Sequence, residues 1–310
     1  MRGKRLQNRI AESRLLLPFA AAYGVVIWLL AGVTTHHWWL QLACFAASSY
    51  LMVQLNNAHA MIRIYSRMIS VAFIAISCSA CFLFSSLSGS VIQMLLIASL
   101  LLLFTTYHDQ QASGRTYYTF LTLAMASLVF PQLLFFTPLL WLLMAINLRS
   151  LSWSTWIASL LGLLTPYWMW MGWLLLQGDA TPLLNHLSAF FDLKRPFEFS
   201  LLTQNQILTF VFVVLLAVIG AAHFILRSYE DKIRVRMLFT ILIWLDLAAV
   251  VFLVIQPQHY DLLMRIVITT TAPLIGHYLA LTNSRLTNIS FMVITALTLA
   301  LTLFNILWSL

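Results

Sequence analysis

Asp246 places a carboxylate at the middle of a long apolar run, MLFTILIWLDLAAVVFLVIQ. A charge at the centre of a bilayer costs about 2.5–3.5 kcal/mol on insertion scales, so such a residue pairs inside the protein or serves a function. His223 and His277 lie in neighbouring apolar runs. One interpretation is a transporter or flippase that couples to protons through Asp246 and these histidines. The other is a structural hydrogen bond between two helices.

The segment 256–265, QPQHYDLLMR, is the second candidate for chemistry. Asp261 and Arg265 are four residues apart, so they can pair on one face of a helix. An anchoring ion pair explains this spacing. The alternative is a site for an anionic headgroup or phosphate, formed by Arg265, His259, Lys194 and Arg195.

Four carboxylates outside the apolar runs are candidate general bases for an enzyme. They are Asp179, Asp192, Glu198 and Asp261. Nothing in their spacing identifies a reaction.

The segment 54–67, QLNNAHAMIRIYSR, is unusually polar between two apolar runs. One interpretation is an anion site at the membrane interface. The other is helix capping and anchoring to lipid. The residues concerned are Asn56, Asn57, Arg63 and Tyr65.

The sequence predicts no metal site and no cofactor. Cys78 and Cys81 have the C-x-x-C spacing of redox and metal sites. Their flanks, VAFIAIS and FLFSS, contain no basic residue that could stabilise a thiolate. We interpret both, with Cys44, as small apolar residues inside membrane spans.

The composition of the chain predicts that these residues lie in and between membrane-spanning helices. The chain is 62% apolar and 8% charged, whereas a soluble domain carries about a quarter charged residues. So few charges cannot cover a surface that faces water, so lipid must surround most of the chain. The basic residues form short clusters beside apolar runs, and we therefore expect membrane lipid as a partner and no nucleic acid.

Apolar runs near the length of a bilayer crossing predict one all-α membrane domain over 1–310. Its eleven transmembrane helices lie at about 15–33, 38–55, 68–86, 90–106, 117–131, 133–147, 154–177, 205–226, 237–256, 262–282 and 288–309. The longest polar gap, 178–204, is too short to build a soluble core.

The basic residues predict the orientation, because cytoplasmic loops are enriched in Lys and Arg. With the N-terminus in the cytoplasm, the inner gaps collect Arg2, Lys4, Arg5, Arg9, Arg14, Arg63, Arg67, Arg115, Arg149, Arg227, Lys232, Arg234, Arg236 and Arg285. The outer gaps contain only Lys194, Arg195 and Arg265. We therefore expect a site on the outer side, near Lys194, Arg195 and Arg265.

The region 117–147 contains two short apolar halves joined at Pro131 and Gln132. Proline cannot continue a hydrogen-bonded helix, so a tight reversal is expected here. A single crossing would put most later basic residues on the outer side, against the orientation rule. A full hairpin and a buried re-entrant pair both satisfy the pattern.

The gap 178–204 predicts a short amphipathic helix at the outer interface. Thr181 is the expected N-cap, with Pro182 at the first helical position. Apolar residues then recur at helical spacing until Pro196 ends the helix. Such a helix can cover a cavity that opens sideways to lipid, or it can simply join two spans.

The region 130–168, FPQLLFFTPLLWLLMAINLRSLSWSTWIASLLGLLTPYW, has a recognisable pattern. It has a proline-bearing short hairpin, a basic residue, a tryptophan-rich entry and a G-L-L-T-P-Y turn. This pattern resembles a family of uncharacterised polytopic inner-membrane proteins of Gram-negative bacteria. The resemblance implies a multi-pass protein of the inner membrane. It implies no catalytic residues, because the family has no established activity.

Three functions from different classes remain open. We favour a non-catalytic scaffold or accessory subunit of envelope biogenesis, with a protein partner in the membrane. The second is a glycosyltransferase-like enzyme that uses a polyprenyl-phosphate sugar carrier. Such enzymes typically have a carboxylate in the first outer loop. Here that loop is Thr34-Thr-His-His37 and contains no acidic residue. The third is the transporter that uses Asp246.

Three kinds of cavity would separate these functions. A cavity that opens to lipid and is lined by the outer carboxylates and Arg265 would favour the enzyme. A midplane cavity at Asp246 would favour transport. A packed interior would favour the scaffold.

Overall fold

The computed structural model of the protein describes residues 5–179, 181–191 and 196–309. Within these ranges the chain forms thirteen α-helices and no strand. The predicted all-α class is confirmed.

The helices follow one another with short connections. They are α1 (Leu6–Ala11), α2 (Leu16–Leu30), α3 (Trp39–His59), α4 (Met68–Ser79), α5 (Leu87–Thr105), α6 (Ser113–Ser127), α7 (Phe136–Leu143), α8 (Trp153–Gln177), α9 (Thr181–Phe190), α10 (Gln204–Arg227), α11 (Ile233–Ile255), α12 (Tyr260–Leu281) and α13 (Arg285–Ser309). Shorter 3-10 turns occupy Cys81–Ser85, Pro131–Phe135, Phe199–Leu201, Ser228–Glu230 and Pro257–His259, and a π turn occupies Met144–Leu148.

Every apolar run that predicted a span coincides with a helix or with a continuous helical stretch. Among the described residues, seven such stretches are long and apolar enough to cross a membrane. They are Leu87–Thr105, Pro131–Leu148, Trp153–Gln177, Gln204–Glu230, Ile233–Ile255, Pro257–Leu281 and Arg285–Trp308. The chain is therefore a membrane protein with several transmembrane helices, whereas eleven crossings and their sidedness stay predictions.

The remaining four stretches are shorter or more polar. Helices α2, α4 and α6 have 15, 12 and 15 residues, fewer than the about 20 that a bilayer crossing needs. Helix α3 has 21 residues, but Gln54, Asn56, Asn57 and His59 make its last two turns polar.

Helix α12 is the central helix of the bundle. All its residues from 263 to 280 are buried, and it packs against α4, α5, α10 and α11. Two glycines allow this close packing. A Cβ at Gly276 would lie 2.8 Å from the Cα of Ile69 in α4, and a Cβ at Gly220 would lie 2.6 Å from the carbonyl carbon of Leu274. Small residues at such crossings let membrane helices pack backbone against backbone.

Long-range contacts define two ends of the bundle. At one end, which we call the basic end, Arg63 pairs with Glu230, and Gln7 donates to the carbonyl of Leu279. At the other, the α9 end, Gln132 donates to the carbonyl of Ala189. Two of the basic residues that predicted the inner side, Arg63 and Arg227, meet at this end, where both pair with Glu230.

The reversal predicted at Pro131 is present. Gln132 lies at the α9 end, and the same stretch reaches the basic end at Leu148, whose carbonyl accepts the backbone N–H of His108 at 2.8 Å. The returning stretch consists of a 3-10 turn, then α7, then a π turn. Pro131 is the first residue of the 3-10 turn. The π turn accommodates one extra residue in the helix.

Candidate functional site

Asp246 forms a hydrogen-bonded bridge between α11 and α12. Its side chain is 6% exposed. The carboxylate atom Oδ1 accepts hydrogen bonds from Thr270 at 2.6 Å and Thr271 at 2.9 Å. His277 lies seven residues beyond Thr270 along α12, a rise of about 10 Å. The structure therefore does not join Asp246 to the two histidines with which the sequence grouped it.

Arg265 is directed into the protein and is 4% exposed. Its guanidinium donates to the backbone carbonyls of Leu83 and Ser86, which end the 3-10 turn after α4. It also donates to Ser90 Oγ at 3.3 Å and Gln93 Oε1 at 3.4 Å. Carbonyls at a helix end carry partial negative charge, so they stabilise a buried cation.

Of the other residues of the proposed headgroup site, the structure describes His259. Asp261 lies 3.7 Å from Nε of Arg265, the expected i,i+4 geometry. The His259 ring packs against Phe130, with centroids 5.1 Å apart, and its Nε2 lies 2.9 Å from the Gln258 amide. Lys194 and Arg195 lie outside the described residues, so the headgroup site stays a prediction.

Three of the four candidate carboxylates, Asp179, Glu198 and Asp261, lie in the described residues. Asp179 accepts the backbone N–H of Thr181 at 2.9 Å and also the Thr181 hydroxyl. It therefore satisfies the first backbone N–H of α9, whereas the sequence predicted Thr181 as the cap of this helix. The same two hydrogen bonds lower the pKa of Asp179. Glu198 precedes the 3-10 turn Phe199–Leu201, and Asp192 lies outside the described residues.

The polar residues of the segment 54–67 point to separate partners. Asn56 is buried, and its amide donates to the carbonyl of Ser66 at 2.9 Å. Asn57 accepts from Arg67 at 2.6 Å. Tyr65 is 58% exposed. Only Arg63 reaches a polar cavity, and it does so together with residues from α10, α12 and α13.

A large apolar groove lies between α7, α8 and α9. Its volume is about 920 Å³. The lining includes Leu134, Trp141, Leu163, Trp168, Leu183 and Leu187. Helix α8 is exposed along much of its length: Leu164 and Trp168 are 61% and 75% exposed. The groove therefore opens on an exposed, apolar flank of the bundle.

Helix α9 is held over this groove by contacts on both sides. Gln132 donates to the Ala189 carbonyl at 2.6 Å, and the Phe135 and Phe190 rings stack at 4.4 Å. On the α8 side, Tyr167 lies 3.4 Å from Nε2 of His186. Burial in this position lowers the pKa of His186. The helix predicted in the gap 178–204 thus contacts the bundle, although none of its residues is buried.

A polar cavity of about 320 Å³ lies at the basic end. In it, His277 Nε2 lies 2.9 Å from the Asp231 carboxylate, and the rings of His223 and His277 are 5.9 Å apart. Asp231 is not among the site residues predicted from the sequence. The only available signal was an acidic pair, Glu230-Asp231, directly before the basic cluster at 232–236.

In the part of the chain that the structure describes, no group of three His, Cys, Asp or Glu side chains is placed to hold a metal ion. Cys78 and Cys81 are buried, and Cys44 is half-buried.

The fold defines an all-α protein with several membrane-spanning helices. No family model, curated protein or solved structure matches the chain. The resemblance to the Gram-negative inner-membrane family therefore stays a prediction.

Proposed function

We propose that this chain is a non-catalytic accessory subunit or scaffold of envelope biogenesis that binds a lipid chain in the groove beneath α9. In this proposal it crosses the bacterial inner membrane eleven times, with its N-terminus in the cytoplasm. The occupant is a long hydrocarbon chain, from a phospholipid or a polyprenyl-phosphate carrier. The observation that carries the proposal is the apolar groove itself.

The shape and lining of the groove support a chain-like hydrocarbon ligand. A volume of about 920 Å³ is at the upper end of the range of small-ligand sites. The described polar groups of its lining are the hydroxyls of Thr137, Thr165 and Tyr167 and the indole N–H groups of Trp141 and Trp168. The Thr165 hydroxyl donates to the Leu161 carbonyl at 2.6 Å, and the Tyr167 hydroxyl lies 2.8 Å from Ser127 Oγ. A ligand without hydrogen-bonding groups along its length suits such a surface.

The positions of the acidic residues support a non-catalytic role. Among the described residues that line the groove, none is a carboxylate. Asp179 caps α9, and Asp261 pairs with Arg265. A general base must come within hydrogen-bond reach of its substrate.

Native mass spectrometry of the purified protein tests the groove. We expect wild type to retain a co-purified lipid. Leu163→Trp fills the groove and should lower the lipid occupancy, because the indole takes the space of the chain. Leu176→Trp is the matched control, since Leu176 lies on the same helix and is 85% exposed. Equal occupancy in both variants would reject the proposal.

The enzyme is the second candidate, because polyprenyl-phosphate-sugar transferases resemble this arrangement of an interfacial helix over a lateral opening. Deletion of the gene separates the two. A lipid-linked intermediate that accumulates, and that Asp179→Asn, Asp192→Asn, Glu198→Gln or Asp261→Asn fails to clear, supports the enzyme. Clearance by all four variants supports the accessory subunit. Transport would need a path to Asp246, and none of the described cavities is lined by this residue.

A further inference from the structure

The polar cavity at the basic end combines side chains from four separate elements. Arg63 comes from the loop between α3 and α4, and Arg227 ends α10. His277 belongs to α12, and Ser284 and Thr287 begin α13. The cavity has about 320 Å³ of space, enough for a small polar ligand. It lies at the end opposite to α9, so its function is independent of the lipid groove.

Two arginines in this cavity share one carboxylate. Arg63 reaches Glu230 Oε2 at 2.5 Å, and Arg227 reaches Glu230 Oε1 at 3.2 Å. The side chains of Arg63 and Arg227 are 40% and 58% exposed. One carboxylate cannot use all the donors of two guanidinium groups. The pair therefore keeps donors for a further anion, and Glu230 marks the position that an anionic oxygen prefers.

The wall of the cavity contains a buried, oriented histidine. His277 and Asp231 are 1% and 3% exposed in their side chains. Because the carboxylate accepts the hydrogen bond, His277 carries a proton on Nε2. Its other ring nitrogen, Nδ1, is buried and has no hydrogen-bond partner among the described residues. An unpaired buried polar atom costs free energy, so this orphaned atom is a second and independent sign of a ligand.

The start of α13 adds favourable electrostatics. Ser284 caps this helix of 25 residues and accepts the backbone N–H of Thr287 at 3.1 Å. The N-terminus of a helix carries a partial positive charge and attracts anions. The first turn of α13 lines the same cavity as the two arginines.

We propose that this cavity binds a phosphate-bearing anion. Arg63 and Arg227 would bind its oxygens in place of Glu230, which moves aside, and the hydroxyls at the start of α13 would donate to the same group. His277, held by Asp231, would accept at Nδ1 a hydrogen bond from a hydroxyl of the ligand, such as the P–OH of a protonated phosphate. A phosphate ester in the cytoplasm and the headgroup of an inner-leaflet lipid share this chemistry.

Titration calorimetry on the full chain in detergent, with inorganic phosphate as the probe, tests the binding. We expect saturable binding that Arg63→Gln or Arg227→Gln weakens roughly tenfold, because each removes a charged hydrogen bond. Glu230→Gln should strengthen binding, since it removes the competing anion. This opposite sign excludes a general loss of folding.

The pair Arg115–Asp109 supplies matched controls. It is an exposed ion pair of 2.7 Å at the same end of the bundle, outside the cavity. Arg115→Gln and Asp109→Asn remove the same charges and should leave phosphate binding unchanged. Equal loss in Arg115→Gln and Arg63→Gln would show that net charge alone attracts phosphate and would overturn the proposal.

Nanodiscs identify the source of the phosphate group. Discs of phosphatidylcholine with and without phosphatidic acid are compared for protection of the protein against thermal unfolding. Protection by phosphatidic acid that Arg63→Gln abolishes, without binding of inorganic phosphate, assigns the site to a lipid headgroup. Binding of inorganic phosphate assigns it to a soluble ester. If neither probe distinguishes wild type from Arg63→Gln and Glu230→Gln, the proposal is wrong.

Discussion

The imidazole of His277 lies 2.9 Å from the carboxylate of Asp231, and both side chains are almost fully buried. Asp231 stands between α10 and α11, whereas His277 belongs to the central helix α12. The contact therefore ties the basic end of the bundle to its core.

Asp231→Ala should destabilise the protein by about 3 kcal/mol, because removal of one partner leaves the other polar group buried and unpaired. Asp109→Ala removes an exposed partner of Arg115 and should change stability by less than about 1 kcal/mol. Denaturant unfolding in detergent micelles measures both. A loss in Asp231→Ala no larger than in Asp109→Ala would show that the buried pair contributes nothing.

Gly89→Ala should destabilise the protein by about 1–3 kcal/mol, the usual result of overpacking. A Cβ at Gly89 would overlap the guanidinium of Arg265, whose hydrogen bonds to Leu83 and Ser86 prevent it from moving away. Gly114→Ala is the control, because nothing lies within 4 Å of that position and α6 favours alanine. Thermal unfolding should separate the two variants, and matching midpoints would refute the tight contact.

His59 should make stability depend on pH. Burial, together with the charge of Arg234, lowers the pKa of His59 to about 4, compared with about 6.5 in an unfolded chain. Between these values the unfolded chain binds a proton that the folded chain does not. Stability should therefore fall as the pH drops from about 6.5 to about 4, and this effect should be absent above pH 6.5.

His59→Gln is the matched variant for this effect. The glutamine amide can still accept from Arg234 and donate to the Leu101 carbonyl, the two hydrogen bonds that His59 makes. The free energy of unfolding is measured across a pH series. On unfolding between about pH 4 and pH 6.5, the variant should take up one proton fewer than wild type. Parallel pH profiles for wild type and His59→Gln would contradict the assignment.

Asp246→Asn tests the structural interpretation of the buried carboxylate. An amide oxygen can accept the same hydrogen bonds from Thr270 and Thr271, so stability should change by less than about 1 kcal/mol. The variant should also complement a deletion strain as well as wild type does. A folded Asp246→Asn protein that fails to complement the deletion strain would support the transporter interpretation instead.

The local pattern of apolar residues in the sequence was sufficient to predict where the helices lie. The prediction of a span at 154–177 corresponds to α8 at Trp153–Gln177. The reversal at Pro131 followed from one residue. Helix α9 was predicted from apolar spacing, although its cap was assigned to Thr181 instead of Asp179. These features depend on neighbours in the sequence, because backbone hydrogen bonds within a helix are local.

Partners distant in the sequence depended on the tertiary structure. His277 and Asp231 are 46 residues apart, and Arg265 and the Leu83 carbonyl are 182 residues apart. The basic residues by themselves predicted a side of the membrane and, at Arg265, an exception to it. The tertiary structure shows that this cation is enclosed by carbonyls, and it places Arg63 and Arg227 around one cavity. The hydropathy of a sequence indicates which segments prefer lipid. Which side chains become partners depends on how those segments pack against one another.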